Sequence, residues 1–282
     1  MTNPGSDRAL QDALIRFLAD APFRAAIADL SDGESLDGVP TEHVAILRAA
    51  YGERVRRFSR FLARQYYHAR LTHFHRYSRA LACWTCRHPE AILRSPAFDA
   101  LLPTLVLGSR EAARDIAALL EEYLVTSEAP PYTAELVRYQ NAQLVAEAGP
   151  RVWRSDWRHS PLDAASTATL ATHAMLMSFE WDLPALFPVL LDAARAPQRS
   201  PSPPAATRAP LTLLVARSPR GRVSVLRCSP ALTRLLAALD GKATVATAAD
   251  AAGIALSEAV AIVNELAEAG AIYGPGGIVR TT

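Results

Sequence analysis

The chain has 282 residues, half of them hydrophobic and 21% charged, enough apolar material for one large domain or two modest ones and too much for a disordered chain. A net charge of +2 does not point to nucleic acid by itself, and three cysteines, an odd number, offer no disulfide framework. No apolar run approaches the roughly 20 residues of a membrane span, and no basic-then-apolar leader opens the chain, so a cytoplasmic protein without a membrane partner is expected.

Residues 7–30 carry Leu10, Leu14, Phe17 and Leu18 at helical spacing, up to a break at Ser31-Asp32-Gly33. The acidic stretch 29–38 suits an exposed loop. From Thr41, as N-cap with Glu42 just inside, to about Ala82 the pattern predicts one long helix. Its buried stripe is expected to be Leu47, Tyr51, Val55, Phe58, Leu62 and Tyr66, with Arg54, Arg57, Arg60 and Arg64 on the opposite face. Further helices fit 88–94, 109–125 and 131–148, the last opening after Pro130-Pro131. Residues 172–183, bulky and apolar up to Pro184, read as a strand or extended segment, with a helix as the alternative. A helix over 185–195 leads into Pro197–Pro210, where five prolines predict a linker.

The tail has a layout of its own. Leu211–Ala216 and Val223–Arg227 read as a hairpin around Ser218–Arg222. Ser229 caps a helix with Pro230 at its first position, ended by Asp240-Gly241 near Leu239. A second helix covers roughly 244–252, and a third opens at Ser257 and stops at Gly270. Ala271–Val279, interrupted by Gly274-Pro-Gly-Gly277, reads as a last short hairpin. Strand, strand, three helices and a wing make a winged-helix-like pattern. The expected class is mainly α: a helical partner-docking domain over 1–170, a connecting segment over 171–196 that can supply an extra strand to the tail's sheet through 172–183, the linker over 197–210, and a small α+β module over 211–282.

A winged helix most often reads DNA, through a third helix rich in Arg, Lys, Asn or Gln. Here that helix holds Glu258, Glu265 and Glu268, no Arg or Lys, and Asn264 as its only candidate reader. Phosphate would repel it. The same architecture binds peptides when an extended segment adds to an open sheet edge beside a helix. On that reading Leu213, Val215, Val223, Val225 and Arg227 on the hairpin, with Val260, Val263 and Asn264 on the third helix, are the candidate peptide contacts.

Three stretches carry a family resemblance: Val215-Ala-Arg-Ser-Pro-Arg-Gly-Arg-Val-Ser-Val-Leu226, Leu235-Leu-Ala-Ala-Leu-Asp-Gly-Lys-Ala-Thr-Val245 and Val263-Asn-Glu-Leu-Ala-Glu-Ala-Gly-Ala-Ile272. They resemble the PqqD-like element that grips precursor peptides in the biosynthesis of ribosomally made natural products. The chain order also fits: a helical half with Pro130-Pro-Tyr-Thr-Ala-Glu-Leu-Val-Arg-Tyr139, a segment ending Glu180-Trp-Asp-Leu-Pro-Ala-Leu-Phe187, then prolines and the element. This is similar to the HvfC/BufC- and TglI-type partner proteins. The resemblance implies a heterodimer with a separate TIM-barrel enzyme carrying several iron ions, a precursor peptide as second partner, and no cofactor in this chain. Arg57, Arg60, Arg64, Tyr139 and Trp181 are the candidate docking residues for that enzyme.

Other constellations compete. His68, His73, His75, Cys83, Cys86 and His88 lie within 21 residues, and Cys83-Trp-Thr-Cys86 has the spacing of half a zinc site or of a redox pair. The usual second half of a zinc site is missing and the surrounding pattern is helical, so buried thiols in place of ligands are expected. Trp153, Trp157 and Trp181 stand in loop-like sequence that suits an interface. No nucleophile elbow, phosphate loop, dinucleotide glycine pattern or His-Glu-x-x-His motif occurs, so no catalytic residue is assigned. A winged-helix transcriptional regulator and a metal or thiol enzyme centred on Cys83 and Cys86 are the two alternatives to a peptide-presenting subunit.

Overall fold

The computed structural model describes residues 4–31, 33–36, 38–149, 161–218 and 220–274. Trp153, Trp157 and the second half of the expected last hairpin lie outside them. The described chain is mostly helical with small antiparallel sheets.

The opening helix is two helices, α1 (Pro4–Ala19) and α2 (Ala21–Asp29). They divide at Asp20, whose carboxylate accepts the Phe23 N–H at 2.8 Å while Pro22 stands in the first turn of α2. The long helix expected from Thr41 is three: α3 (Thr41–Ala50), α4 (Glu53–Phe74) and α5 (Arg76–Thr85). Thr41 is the first helical residue, and Pro40 takes the cap position. Gly52 runs fully extended between α3 and α4, and the chain turns again at His75. The buried stripe of α4 is Ser59, Ala63, Tyr67, Leu71 and Phe74, whereas Phe58 is exposed and stacks on the exposed Phe61 at 6.4 Å. The small Ser59 and Ala63 let a neighbouring helix approach, and close approach settles which face is buried.

A 3-10 turn (Pro89–Arg94) leads to α6 (Pro96–Leu101), then α7 (Arg110–Leu124) and α8 (Thr133–Glu147). Ser95 and Ser109 cap α6 and α7 by accepting the Phe98 and Ala112 N–H groups. Helix α8 is buried on nearly every side, from Leu136 and Val137 to Gln140 and Ala146, because it packs on α4 and α7 and also on a sheet.

That sheet follows. The chain runs through β1 (Thr167–Leu170), β2 (Met175–Trp181), α9 (Leu183–Arg195), β3 (Arg208–Arg217), β4 (Val223–Cys228), α10 (Pro230–Ala238), β5 (Asp240–Thr244), α11 (Val245–Ala252), α12 (Leu256–Glu268) and β6 (Ile272–Tyr273). The strands form two antiparallel three-stranded sheets, β2-β3-β4 and β5-β1-β6. Each takes one strand from before the proline-rich segment. Ile272 and Tyr273, expected to start a hairpin, pair with β1, as does the unexpected β5.

In the first sheet β3 is central and covered on both faces. Leu211, Leu213 and Val215 pack toward α8 and α9, and Leu214 and Ala216 pack into the core of α10–α12. The proline-rich segment is tied down and does not dangle. Its Ser200 and Pro204 carbonyls accept hydrogen bonds from the Trp84 indole at 2.7 Å and the Tyr132 hydroxyl at 3.0 Å. Burial pushes the Tyr132 hydroxyl up to about 12, so it remains a donor through the physiological range.

Candidate functional site

The first sheet has two edges, and they are treated differently. Register decides which backbone groups each edge presents. At the β3–β4 turn the Gly221 N–H donates to Ser218 O and the Ser218 N–H to Arg222 O, with Gly221 at φ 84°, a three-residue loop with glycine in the left-handed position. The Ser218–Arg222 bond starts the alternation of an antiparallel ladder, and the register runs on without a shift to Thr212–Cys228. Ser224, Leu226 and Cys228 therefore bond to β3. The N–H and C=O groups of Val223, Val225 and Arg227 point outward from the sheet.

The same alternation turns the backbone of Ser178 and Glu180 outward on β2, and there α8 has closed the edge. The Glu135 carboxylate accepts the Glu180 N–H at 2.9 and 3.0 Å and the Trp181 N–H at 3.1 Å, and the Arg138 guanidinium donates to Ser178 O. No such cap covers β4 among the described residues. Val225 is 38% and Leu226 43% exposed, one on each face of the strand, while Val223 is anchored against Val215 and α8. Arg227 lies at the far end, 3.8 Å from Asp182.

The candidate peptide contacts thus separate. Val223, Val225 and Arg227 form the open edge. Leu213 and Val215 belong to the central strand, are 1% and 0% exposed, and have no free edge to offer. Val263 is fully buried in the core of α10–α12, against which Val260 packs. Asn264 is occupied: its amide donates to Leu162 O and Val260 O and its carbonyl accepts the Leu162 N–H, fastening the segment ahead of β1 to α12. Ser224 and Leu226 complete the open strand. The alternation of the hairpin could have found them, whereas nothing in the sequence singles out Glu135 or Arg138.

The candidate docking residues do not form one patch. Arg57 is exposed and pairs with Glu53 on its own helix, and Arg60 is exposed beside Ser59 and Leu105. Arg64 bonds to Leu93 O and Asp99. Tyr139 is core, against the Phe179 and Phe187 rings, and burial is the first cause of its hydroxyl being raised to about 12. Trp181 is half-buried under the Arg208 guanidinium. With Trp84 and Tyr132 it lines a groove of about 600 Å³ walled by Pro130, Pro131, Pro203 and Pro204.

The cysteine–histidine run does not converge. Cys83 and Cys86 are exposed at the end of α5, contrary to the burial expected of them, while His75 is fully buried at its start. Among the described residues no three His, Cys, Asp or Glu side chains lie together as a metal site. Among them too, no single helix is long and apolar enough to cross a membrane. No protein-family model matches the chain, and no curated protein is significantly similar to it.

Proposed function

We propose that this chain is a non-catalytic subunit that captures a ribosomally made precursor peptide and presents its cysteine to a separate iron-dependent TIM-barrel enzyme. In this reading β3, β4 and α10–α12 serve as a PqqD-like recognition element, with β2 as an added strand. The observation that carries it is the open edge of β4. Val223, Val225 and Arg227 offer main-chain groups left unpaired among the described residues, flanked by exposed Val225 and Leu226, the arrangement strand addition needs. Holding the peptide beside the partner's metal centre raises the effective concentration of its reacting cysteine, and the iron belongs to the partner. A duplex-reading role is disfavoured by α12, which carries Glu258, Glu265 and Glu268 and no cation.

The test uses a short cysteine-containing precursor peptide, sought among the reading frames that neighbour this chain's own and labelled with fluorescein. The full chain is expected to bind it with about micromolar affinity or tighter. Val225→Pro removes an outward N–H and leaves the β3–β4 ladder intact, so the fold survives while affinity falls about tenfold or more. Wild-type affinity in a normally folded Val225→Pro chain overturns the proposal.

A further inference from the structure

The charge along the stretch of chain that carries the open edge is one-sided. From Thr207 to Leu239 the chain has six arginines, Arg208, Arg217, Arg220, Arg222, Arg227 and Arg234, and not one Asp or Glu, although the whole protein carries a net charge of only +2. Three of the six are committed elsewhere. Arg208 pairs with Glu180, Arg234 donates to Ala252 O, and Arg217 is buried and donates to Ala148 O. Arg220, Arg222 and Arg227 are left, all exposed and all on the β3–β4 hairpin. The side chains of Arg220 and Arg222 make no ion pair or hydrogen bond among the described residues, and Arg227 has only its 3.8 Å approach to Asp182.

These cations bracket the apolar part of the edge. Arg227 stands at one end, Arg220 and Arg222 at the turn end, and Val225 and Leu226 between them. Arg222 and Arg227 are five residues apart, about 17 Å along an extended strand. A strand laid on β4 places every second side chain on the same face, so the register fixes which peptide residue meets which arginine. Arginines that only guarded the edge against self-association would not be expected to leave Val225 and Leu226 bare between them.

We infer that the peptide taken by β4 is acidic at both ends of a short apolar stretch: a segment of about seven residues with Asp or Glu opposite Arg227, apolar residues opposite Val225 and Leu226, and Asp or Glu again beside Arg222 and Arg220. This rests on the strand-addition reading above and adds the chemistry of the ligand. The carboxylates confer register and partner choice, and the apolar middle supplies contact area.

The experiment selects binders from a displayed library of random twelve-residue peptides on the immobilised full chain at low salt, then measures the affinity of the most enriched sequence by fluorescence anisotropy. Enriched peptides are expected to carry Asp or Glu on both sides of three or four apolar residues. Binding should weaken at least tenfold in 0.5 M salt and in an Arg222→Glu/Arg227→Glu chain, and return when the peptide's acids are changed to Lys. Neutral or basic winners that still lose binding with Val225→Pro overturn the acidic specificity and leave strand addition standing. Winners indifferent to Val225→Pro overturn strand addition itself. A 20-base-pair DNA duplex that binds at low salt and is released by Arg220→Glu/Arg222→Glu assigns the arginines to phosphate and overturns the inference.

Discussion

His75 sits at the junction of α4 and α5 with its ring fully buried, and neither ring nitrogen has a hydrogen-bond partner among the described residues. Burial depresses its basicity to about 3, well below the ordinary 6.5. Below pH 6.5 the unfolded chain therefore takes up a proton that the native chain refuses. The His75 contribution to stability is complete above that pH and falls by about 1.4 kcal/mol per unit as the pH drops toward 3. Urea unfolding at pH 7.5 and 5.0 should show a loss on acidification that is smaller in His75→Leu by about 2 kcal/mol. An equal loss in both proteins would show that the ring is accessible to protons in the native state. At neutral pH the leucine should also stabilise, since it removes two buried polar atoms without partners.

At the scale of elements, α5 ends on a strained residue. Cys86 is the one non-glycine with positive φ among the described residues, at 55°, where its N–H closes the helix by donating to Ala82 O. Glycine is the usual occupant of that position because it has no Cβ to clash there. Cys86→Gly should raise stability by about 0.5–1 kcal/mol in chemical denaturation, and a loss of stability would mean that the thiol makes a contact worth more than the strain. Elements whose signals are local were legible in the sequence. Ser229 caps α10 where expected, α11 falls within the expected 244–252, and β3 and β4 follow from the alternation around Gly221. Elements made by pairing were not. Asp240-Gly-Lys-Ala-Thr244 and Thr167-Ala-Thr-Leu170 lack a strand-like run of bulky residues, and each is a strand because the other lies beside it. The break at His75 has no glycine or proline to announce it. The same division holds at the site: Val223, Val225 and Arg227 could be read from the hairpin, whereas the central place of Leu213 and Val215 depends on β2, more than 30 residues earlier in the chain.

The whole molecule is joined through β3. One face of this strand closes the core with α8 and α9 and the other closes the core with α10–α12, while the proline-rich segment beside it is pinned by Trp84 and Tyr132. The tail expected to be a separate module thus shares its central strand with the helical body. Residues 209–282 expressed alone would lose β1 and β2 and bare Leu213 and Val215. That fragment should show no cooperative thermal transition by circular dichroism where the full chain shows one, and a sigmoidal melt of the fragment would refute the shared core.

Glu135 and Arg138 have one more consequence. By bonding to the backbone of Ser178, Glu180 and Trp181 they block that half of β2 and leave β4 as the free end of this sheet among the described residues. Two copies that paired across β4 would consume that end in both, so growth of this sheet stops at a closed pair. This sheet likewise has room for one added strand, so a peptide strand and a second copy would exclude each other at β4.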